Sequence, residues 1–247
     1  GYASVAYEDY DEYGNATVTR YYGTDGEPAA YRDTYSVAVR RYNGQKKVLF
    51  AANYDVNGEP MLYAGNNTYY QIGYVYDSDG KTVTEEHYYD GEGSPMNCKA
   101  GYASFHRTYE NGKIARVDYF GPDGEPIALA DGQASVAYVR DENGNATETR
   151  YYGVDGEPVL YRNEYAVIRQ RFDENRRLLW EAKFGTADEP LLHNAEDLYY
   201  QIAYAYDEAG KIVRETYLDM DGQAMLNVDG YASVAYEDYD EYGNATV

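Results

Sequence analysis

From Ala3 to Tyr10 the chain alternates apolar and polar residues, Asp11-Glu12-Tyr13-Gly14-Asn15 supplies turn residues, and alternation resumes from Ala16 to Tyr22. Successive side chains of a strand point to opposite faces, so this pattern predicts a β-hairpin. The same design returns as Gln71 to Tyr76, a turn at Asp77-Ser78-Asp79-Gly80, and Lys81 to Tyr89. It returns again as Gln201 to Tyr206, Asp207-Glu208-Ala209-Gly210, and Lys211 to Leu218. Glycine supplies the positive φ such turns need, and Asp or Asn accepts backbone hydrogen bonds inside them. After each second strand come a further turn, such as Gly23-Thr24-Asp25-Gly26, a proline, and a short apolar connector such as Pro158-Val159-Leu160-Tyr161.

The punctuation is periodic. Gly-Glu-Pro stands at Gly26 to Pro28, Gly58 to Pro60, Gly124 to Pro126 and Gly156 to Pro158, with variants ending at Pro95, Pro190 and Ala224. The third positions are spaced by 32, 35, 31, 32, 32 and 34 residues, which predicts seven units of about 32 residues. Pro122 alone among the seven prolines falls outside the phase. Ala3 to Tyr7 recurs as Ala134 to Tyr138 and Tyr69 to Ile72 as Tyr199 to Ile202, so the units run a, b, c, d over 1–130 and a, b, c over 131–229. Residues 230–247 are then identical to residues 1–18. The chain therefore reads as a window slightly longer than one period, taken from a larger protein built of 229-residue blocks.

A lone hairpin is marginal in water, so each unit must lay its apolar face on its neighbours. The expected fold is all-β: an elongated β-solenoid of about seven stacked hairpins. A closed propeller needs four strands per blade, and only two strong strands and a weak third fit one unit.

Composition sharpens this reading. Tyr is the commonest residue at 34 copies, against 5 Phe and 1 Trp, and suits pleated, half-buried surfaces. Asp plus Glu number 43 against 21 Lys plus Arg, so the net charge of -22 repels phosphate backbones and anionic membranes. Nucleic-acid binding and membrane insertion are excluded on that ground, and no apolar run approaches the roughly 20 residues of a membrane span. Gly1-Tyr2-Ala3 lacks the basic start and apolar stretch of a signal peptide, so the sequence reads as a fragment without its targeting segment. A single cysteine, Cys98, excludes an internal disulfide framework.

Tyr10-Asp11-Glu12-Tyr13-Gly14-Asn15, followed by Thr17 and Tyr21, resembles the tyrosine-aspartate (YD) repeat of Rhs-type bacterial surface and toxin proteins. Tyr76 to Gly80 and Tyr206 to Gly210 share its Tyr-Asp-x-x-Gly core. Tyr21 to Gly26 and Tyr88 to Gly93 are similar to the Tyr-Tyr-x-x-x-Gly hairpins of choline- and glucan-binding cell-wall repeats. The resemblance implies hairpin arrays on bacterial surfaces.

Nearly every polar position recurs from unit to unit, which reads as structure, so no catalytic residue is assigned. The non-recurring His87, His106, His193, Cys98 and Trp180 show no nucleophile-base or metal-ligand spacing, and the Glu85-Glu86 pair lacks the context of a glycosidase dyad. Asp77, Asp79, Asp219 and Asp221, like Asp141-Glu142-Asn143-Gly144, place hard oxygen ligands beside a glycine turn, the chemistry of a calcium loop, without its terminal Glu. Calcium is the sole cofactor candidate. Asn15-Ala16-Thr17 and Asn145-Ala146-Thr147 fit the glycosylation acceptor pattern. The pairs Tyr21-Tyr22, Tyr88-Tyr89 and Tyr151-Tyr152 either send one ring each to the core or form an exposed aromatic ladder for sugars or a neighbouring fibre.

The leading expectation is a structural segment of a giant extracellular, bacterial surface fibre, whose partners are further copies of the same block and neighbouring fibres. The alternative is an adhesin module that binds cell-surface glycans in tyrosine-lined grooves between hairpins. A third, a YD-type shell around a toxin, requires a toxin domain elsewhere in the gene.

Overall fold

The structure, a computed structural model, describes residues 1–65, 67–193, 198–237 and 239. Its described residues are all-β and contain no helix. They form two compact units: Gly1–Thr108 with Val117–Ala130, and Tyr109–Arg116 with Asp131–Val247.

The first unit is built from β1 (Ser4–Tyr10), β2 (Ala16–Tyr22), β3 (Val37–Tyr42), β4 (Val48–Tyr54), β5 (Tyr63–Ala64), β6 (Thr68–Tyr69), β7 (Gln71–Tyr76), β8 (Val83–Tyr89) and the greater part of β9 (Ser104–Glu110) with the second half of β10 (Lys113–Phe120), the tip of that hairpin counting with the second unit. Apart from the small β5-β6 ribbon, these strands hydrogen-bond in chain order. The second unit continues the design with β11 (Ser135–Arg140), β12 (Ala146–Tyr152), β13 (Val167–Phe172), β14 (Leu178–Phe184), β15 (Gln201–Tyr206), β16 (Ile212–Leu218) and β17 (Ser233–Ala235), again in chain order. The order is open: within neither unit does the last strand return to pair with the first. The restart at 230–247 is described through Glu237 and at Tyr239, and 238 and 240–247 lie outside the described residues.

The turns follow from local chemistry. At the tip of β1-β2 the Asp11 Oδ1 accepts from the amides of Tyr13 at 3.0 Å and Asn15 at 2.8 Å, while Gly14 takes φ 76°. One carboxylate thus gathers two donors that a tight turn leaves unpaired, and glycine removes the steric cost of the left-handed residue. Asp141, Asp173 and Asp207 each accept from the amide four residues on at 2.8, 2.9 and 2.8 Å. Beside the tip a β-bulge shifts the register between Val75 and Tyr76, Val139 and Arg140, and Ala205 and Tyr206.

The buried side chains lie toward the end of each hairpin opposite its tip. In the first unit they include Ala38, Ala52, Ile72, Tyr88, Ala103 and Phe105, and in the second Val136, Ala166, Val167, Ala182, Ile202 and Tyr217. Alternation places Ala38, Ile72, Tyr88, Ile202 and Tyr217 on one face of the strands and Ala52, Val167 and Ala182 on the other. The weak third strand expected in each unit is corrected to a single β-bridge, as at Tyr152↔Pro158.

Candidate functional site

Pairing within a hairpin and pairing between hairpins differ in extent. The β13-β14 hairpin carries six residue pairs, Val167↔Phe184 to Phe172↔Leu178, whereas β14 meets β15 through three, Trp180↔Ala203 to Ala182↔Gln201. The joint between hairpins therefore depends on additional contacts, and three kinds recur.

The first is a hydroxyl lock. The Tyr206 hydroxyl, from the Tyr-Asp-x-x-Gly core of β15, donates to the Leu178 carbonyl of the preceding hairpin at 2.7 Å, and Tyr76 donates likewise to the Val48 carbonyl at 2.9 Å. Tyr239 bonds the Ile212 carbonyl in the same way. Arg140 stands where the sequence repeat would place this tyrosine, and its Nε reaches the Ile114 carbonyl at 3.1 Å. A hydroxyl or a guanidinium satisfies a strand-end carbonyl that the shortened ladder leaves open.

The second is the proline bridge. Gly153 N–H donates to the Glu157 carbonyl at 2.8 Å and Val159 N–H to the Tyr151 carbonyl at 3.0 Å, so Pro158 faces Tyr152 where no donor is needed. Proline is confined to such positions because it has no N–H. The same pair of bonds flanks Pro28, Pro60, Pro95, Pro126 and Pro190, and also Ala224. Gly26, Gly58, Gly93, Gly124, Gly156 and Gly222 hold positive φ just before them, and Asp188 does so at 62°.

The third is a cluster of tyrosines. Tyr151 stacks on Tyr161 with centroids 4.4 Å apart and meets Tyr165 edge-on at 5.9 Å. Tyr21 gathers Tyr2, Tyr31 and Tyr35, Tyr88 gathers Tyr69 and Tyr102, and Tyr217 gathers Tyr199 and Tyr231. The exposed-ladder reading is corrected here: Tyr88 is 1% exposed, and Tyr21 and Tyr151 are half-buried centres of clusters. Within each pair the first ring joins a cluster, and the second residue, Tyr22, Tyr89 or Tyr152, is the one whose backbone bridges to its proline. Burial pushes the Tyr21, Tyr69 and Tyr204 phenols up to about 12, and Tyr88 and Tyr151 further.

The calcium candidates sit in turns. Asp77 Oδ1 accepts from the amides of Lys81 and Thr82 at 3.0 and 3.1 Å, and the Thr82 amide is the main reason its carboxyl lies below the usual range. Asp79 accepts from the Lys81 amide at 3.1 Å, and Asp219 from the amides of Asp221 and Gln223 at 2.9 and 2.8 Å. Among the described residues no three His, Cys, Asp or Glu side chains gather to hold a metal ion. The Asn15 and Asn145 side-chain amides each donate to the preceding Asp of their own turn at 2.9 Å.

Glu85 and Glu86 are neighbours on β8 with separate partners: Glu85 meets His87 at 2.8 Å and Glu86 accepts from the Tyr88 hydroxyl at 2.7 Å. His193 reaches the Glu181 carboxylate at 3.1 Å, and Trp180 Nε1 donates to Gln201 at 2.7 Å. His106 is half-buried on β9, and Cys98 is 4% exposed.

Two features were not read from the sequence. Arg150 bonds Glu148 at 2.6 Å and Asp188 at 3.0 Å, while Arg169 bonds Glu148 at 2.7 Å and Asp188 at 2.9 Å, closing a four-membered ring of charge. Burial alone would raise the Glu148 carboxyl, but bonds from both arginines hold it below its ordinary value. The signal was present 130 residues earlier, where the corresponding cross-strand pair is Val18↔Val39 and Gly58 stands in place of Asp188. The second feature is an open cleft of about 350 Å³ at hairpin tips of the second unit, lined by Glu110, Lys113, Tyr138, Arg140, Asp141 and Arg176. The Arg140 guanidinium lies 4.9 Å from the Tyr138 ring centre.

No protein-family profile matches the chain, and no curated protein matches it in sequence. Among solved structures it aligns with the crystal structure of TcdB2-TccC3-Cdc42 over 94% of its own length and 12% of the other chain, at 13% identity and a TM-score of 0.39. A Photorhabdus luminescens Tc holotoxin pore aligns over 89% of this chain and 11% of its own, at 13% identity and 0.38. Alternansucrase in complex with isomaltononaose aligns over 95% and 18%, at 15% identity and 0.23. The chain thus spans a small fraction of each protein it resembles, and likeness at these scores fixes neither fold nor function.

Proposed function

We propose that this chain is a structural repeat segment of an extracellular bacterial surface fibre, an open β-solenoid whose hairpins give length and stiffness. The observation that carries the reading is the recurrence of one joint. Hairpin after hairpin offers its neighbour the same short ladder and proline bridge, the hydroxyl lock recurs at Tyr76, Tyr206 and Tyr239 and the tyrosine cluster at Tyr21, Tyr88, Tyr151 and Tyr217, and the sequence that opens the chain returns unchanged at 230–247. Elements that bury their faces only on their neighbours make arrays whose length is set by copy number. The acidic surface keeps such arrays soluble and apart. The partners are further blocks of the same chain and neighbouring fibres.

Gold-labelled antibodies raised against this chain should decorate thin threads on intact cells. Label confined to the cell interior contradicts the reading. A second reading, glycan binding, is favoured by the cleft that sets Tyr138 under Arg140 beside Asp141 and Glu142. It requires saturable binding on a glycan array that Tyr138→Ala removes, and a blank array disposes of it.

A further inference from the structure

The second unit holds an aromatic slot whose counterpart in the first unit is closed. Trp180 on β14 carries the single indole of the chain, and its cross-strand neighbours are Arg171 on β13 and Ala203 on β15. The Arg171 guanidinium lies over the ring, 4.6 Å from its centre, and Trp180 Nε1 donates to Gln201 Oε1 at 2.7 Å. Gln201 Nε2 in turn donates to the Met220 carbonyl at 3.0 Å. The indole is thereby held in one orientation and braced on the Arg171 side, while its neighbour on the other side is only the methyl group of Ala203. At Ala203 lies an open groove of about 620 Å³, lined also by Trp180, Leu218, Met220 and Asp221.

The first unit repeats these parts. Arg41 lies over Phe50 at 5.3 Å, Phe50 pairs with Gly73, and Gln71 Nε2 donates to the Gly91 carbonyl at 3.1 Å. Opposite Gln71, however, stands Tyr89, whose ring comes within 3.4 Å of the place a Cβ on Gly73 would take. The residue opposite Gln201 is Leu218. Tyr89 thus covers the small residue of the first-unit slot, and Leu218, which has no ring, leaves the second open beside a larger aromatic.

We propose that this groove is a binding slot for a neutral pyranose ring of a glycan. Strands β14 and β16 flank β15 at two strand spacings, about 9–10 Å, and a ring in van der Waals contact stands about 3.5–4 Å from each wall, so one flat ring fits between them. The free indole face is the negative face of the ring quadrupole and attracts the polarised C–H groups on the apolar face of a sugar. The Asp221 carboxylate at the rim accepts from hydroxyl groups, and the net charge of -22 disfavours acidic sugars. Arg171 acts as a positioning residue, because it braces the ring from the far side. The inference goes beyond the fibre reading and concerns a different site from the cleft at Tyr138, so each can fail without the other.

Trp180 reports on its own slot, since no other indole contributes when emission is excited beyond the tyrosine band. Titration of the full chain with maltohexaose, cellohexaose and chitohexaose should give, with at least one of them, a saturable blue shift of that emission. Leu218→Tyr, which copies the first unit, should weaken the binding at least about tenfold with sheet circular dichroism unchanged. In the reverse experiment, protein carrying Phe50→Trp and Trp180→Phe should stay unresponsive until Tyr89→Leu is added, and this pair decides the matter if Leu218→Tyr fails to fold. Silence with all three sugars, a shift that folded Leu218→Tyr protein retains, or a response from the Phe50→Trp, Trp180→Phe protein with Tyr89 intact would overturn the slot. Loss of array binding in Tyr138→Ala protein, which tests the cleft, leaves each of these results as it stands.

Discussion

Gly156 holds φ 80°, and a methyl group added to it would meet nothing within 4 Å, so the cost of replacing it is purely conformational. Gly156→Ala should lower unfolding stability by about 1–2 kcal/mol, the penalty of a left-handed L-residue, as read from urea denaturation. Lys46 takes φ 61° at the corresponding place of a hairpin tip without that exemption. Lys46→Gly should stabilise by about 0.5–1 kcal/mol, because relief of strain outweighs the added freedom of the unfolded chain. A destabilised Lys46→Gly protein would show that its side chain contributes more than its backbone costs. At this scale the sequence was legible where the chemistry is local: the Asp and Gly of Asp77 to Gly80 specify their turn without help from distant residues. The inward turn of Tyr88 rather than Tyr89 was not legible, because which face each ring takes is set by register and bulge.

At the scale of the element, the proline phase and the hydroxyl lock make opposite predictions for chemically mild changes. Pro158→Ala should cost little, because Pro158 occupies a position where no donor is used. Val159→Pro, one residue on, removes the bond to the Tyr151 carbonyl and should cost about 1–3 kcal/mol. Equal effects from both would contradict the bridge. Tyr206→Phe deletes only the hydroxyl that reaches Leu178 and should cost about 1 kcal/mol, with faster amide exchange along β14 and β15. Strands such as Gln201 to Tyr206 were readable to the residue because alternation and turn residues agree there. The charge ring was not, since Glu148 and Arg150 on one strand, Arg169 on the next and Asp188 in a later turn come from three separate places in the chain. Only comparison with Val18, Val39 and Gly58, 130 residues earlier, reveals that an apolar pair has been replaced by a balanced set of charges.

For the whole molecule, the tyrosine clusters impose a limit at high pH. The Tyr21, Tyr69 and Tyr204 phenols ionise near pH 10.0 when unburied and at about 12 in the fold. Their folded values are raised, so the contribution to stability is complete below pH 10 and is lost as pH climbs toward 12. Sheet circular dichroism should therefore be lost together with the last rise of phenolate absorbance in that window, and complete ionisation of the tyrosines with the sheet intact would contradict buried clusters. The open hairpin array itself is tested most directly by cryo-electron microscopy of the native protein. The account predicts a continuous thread in which hairpins follow in chain order and the β16-to-β17 pairing recurs once per 229-residue block. Compact closed particles, with the strand order returning on itself, would contradict it.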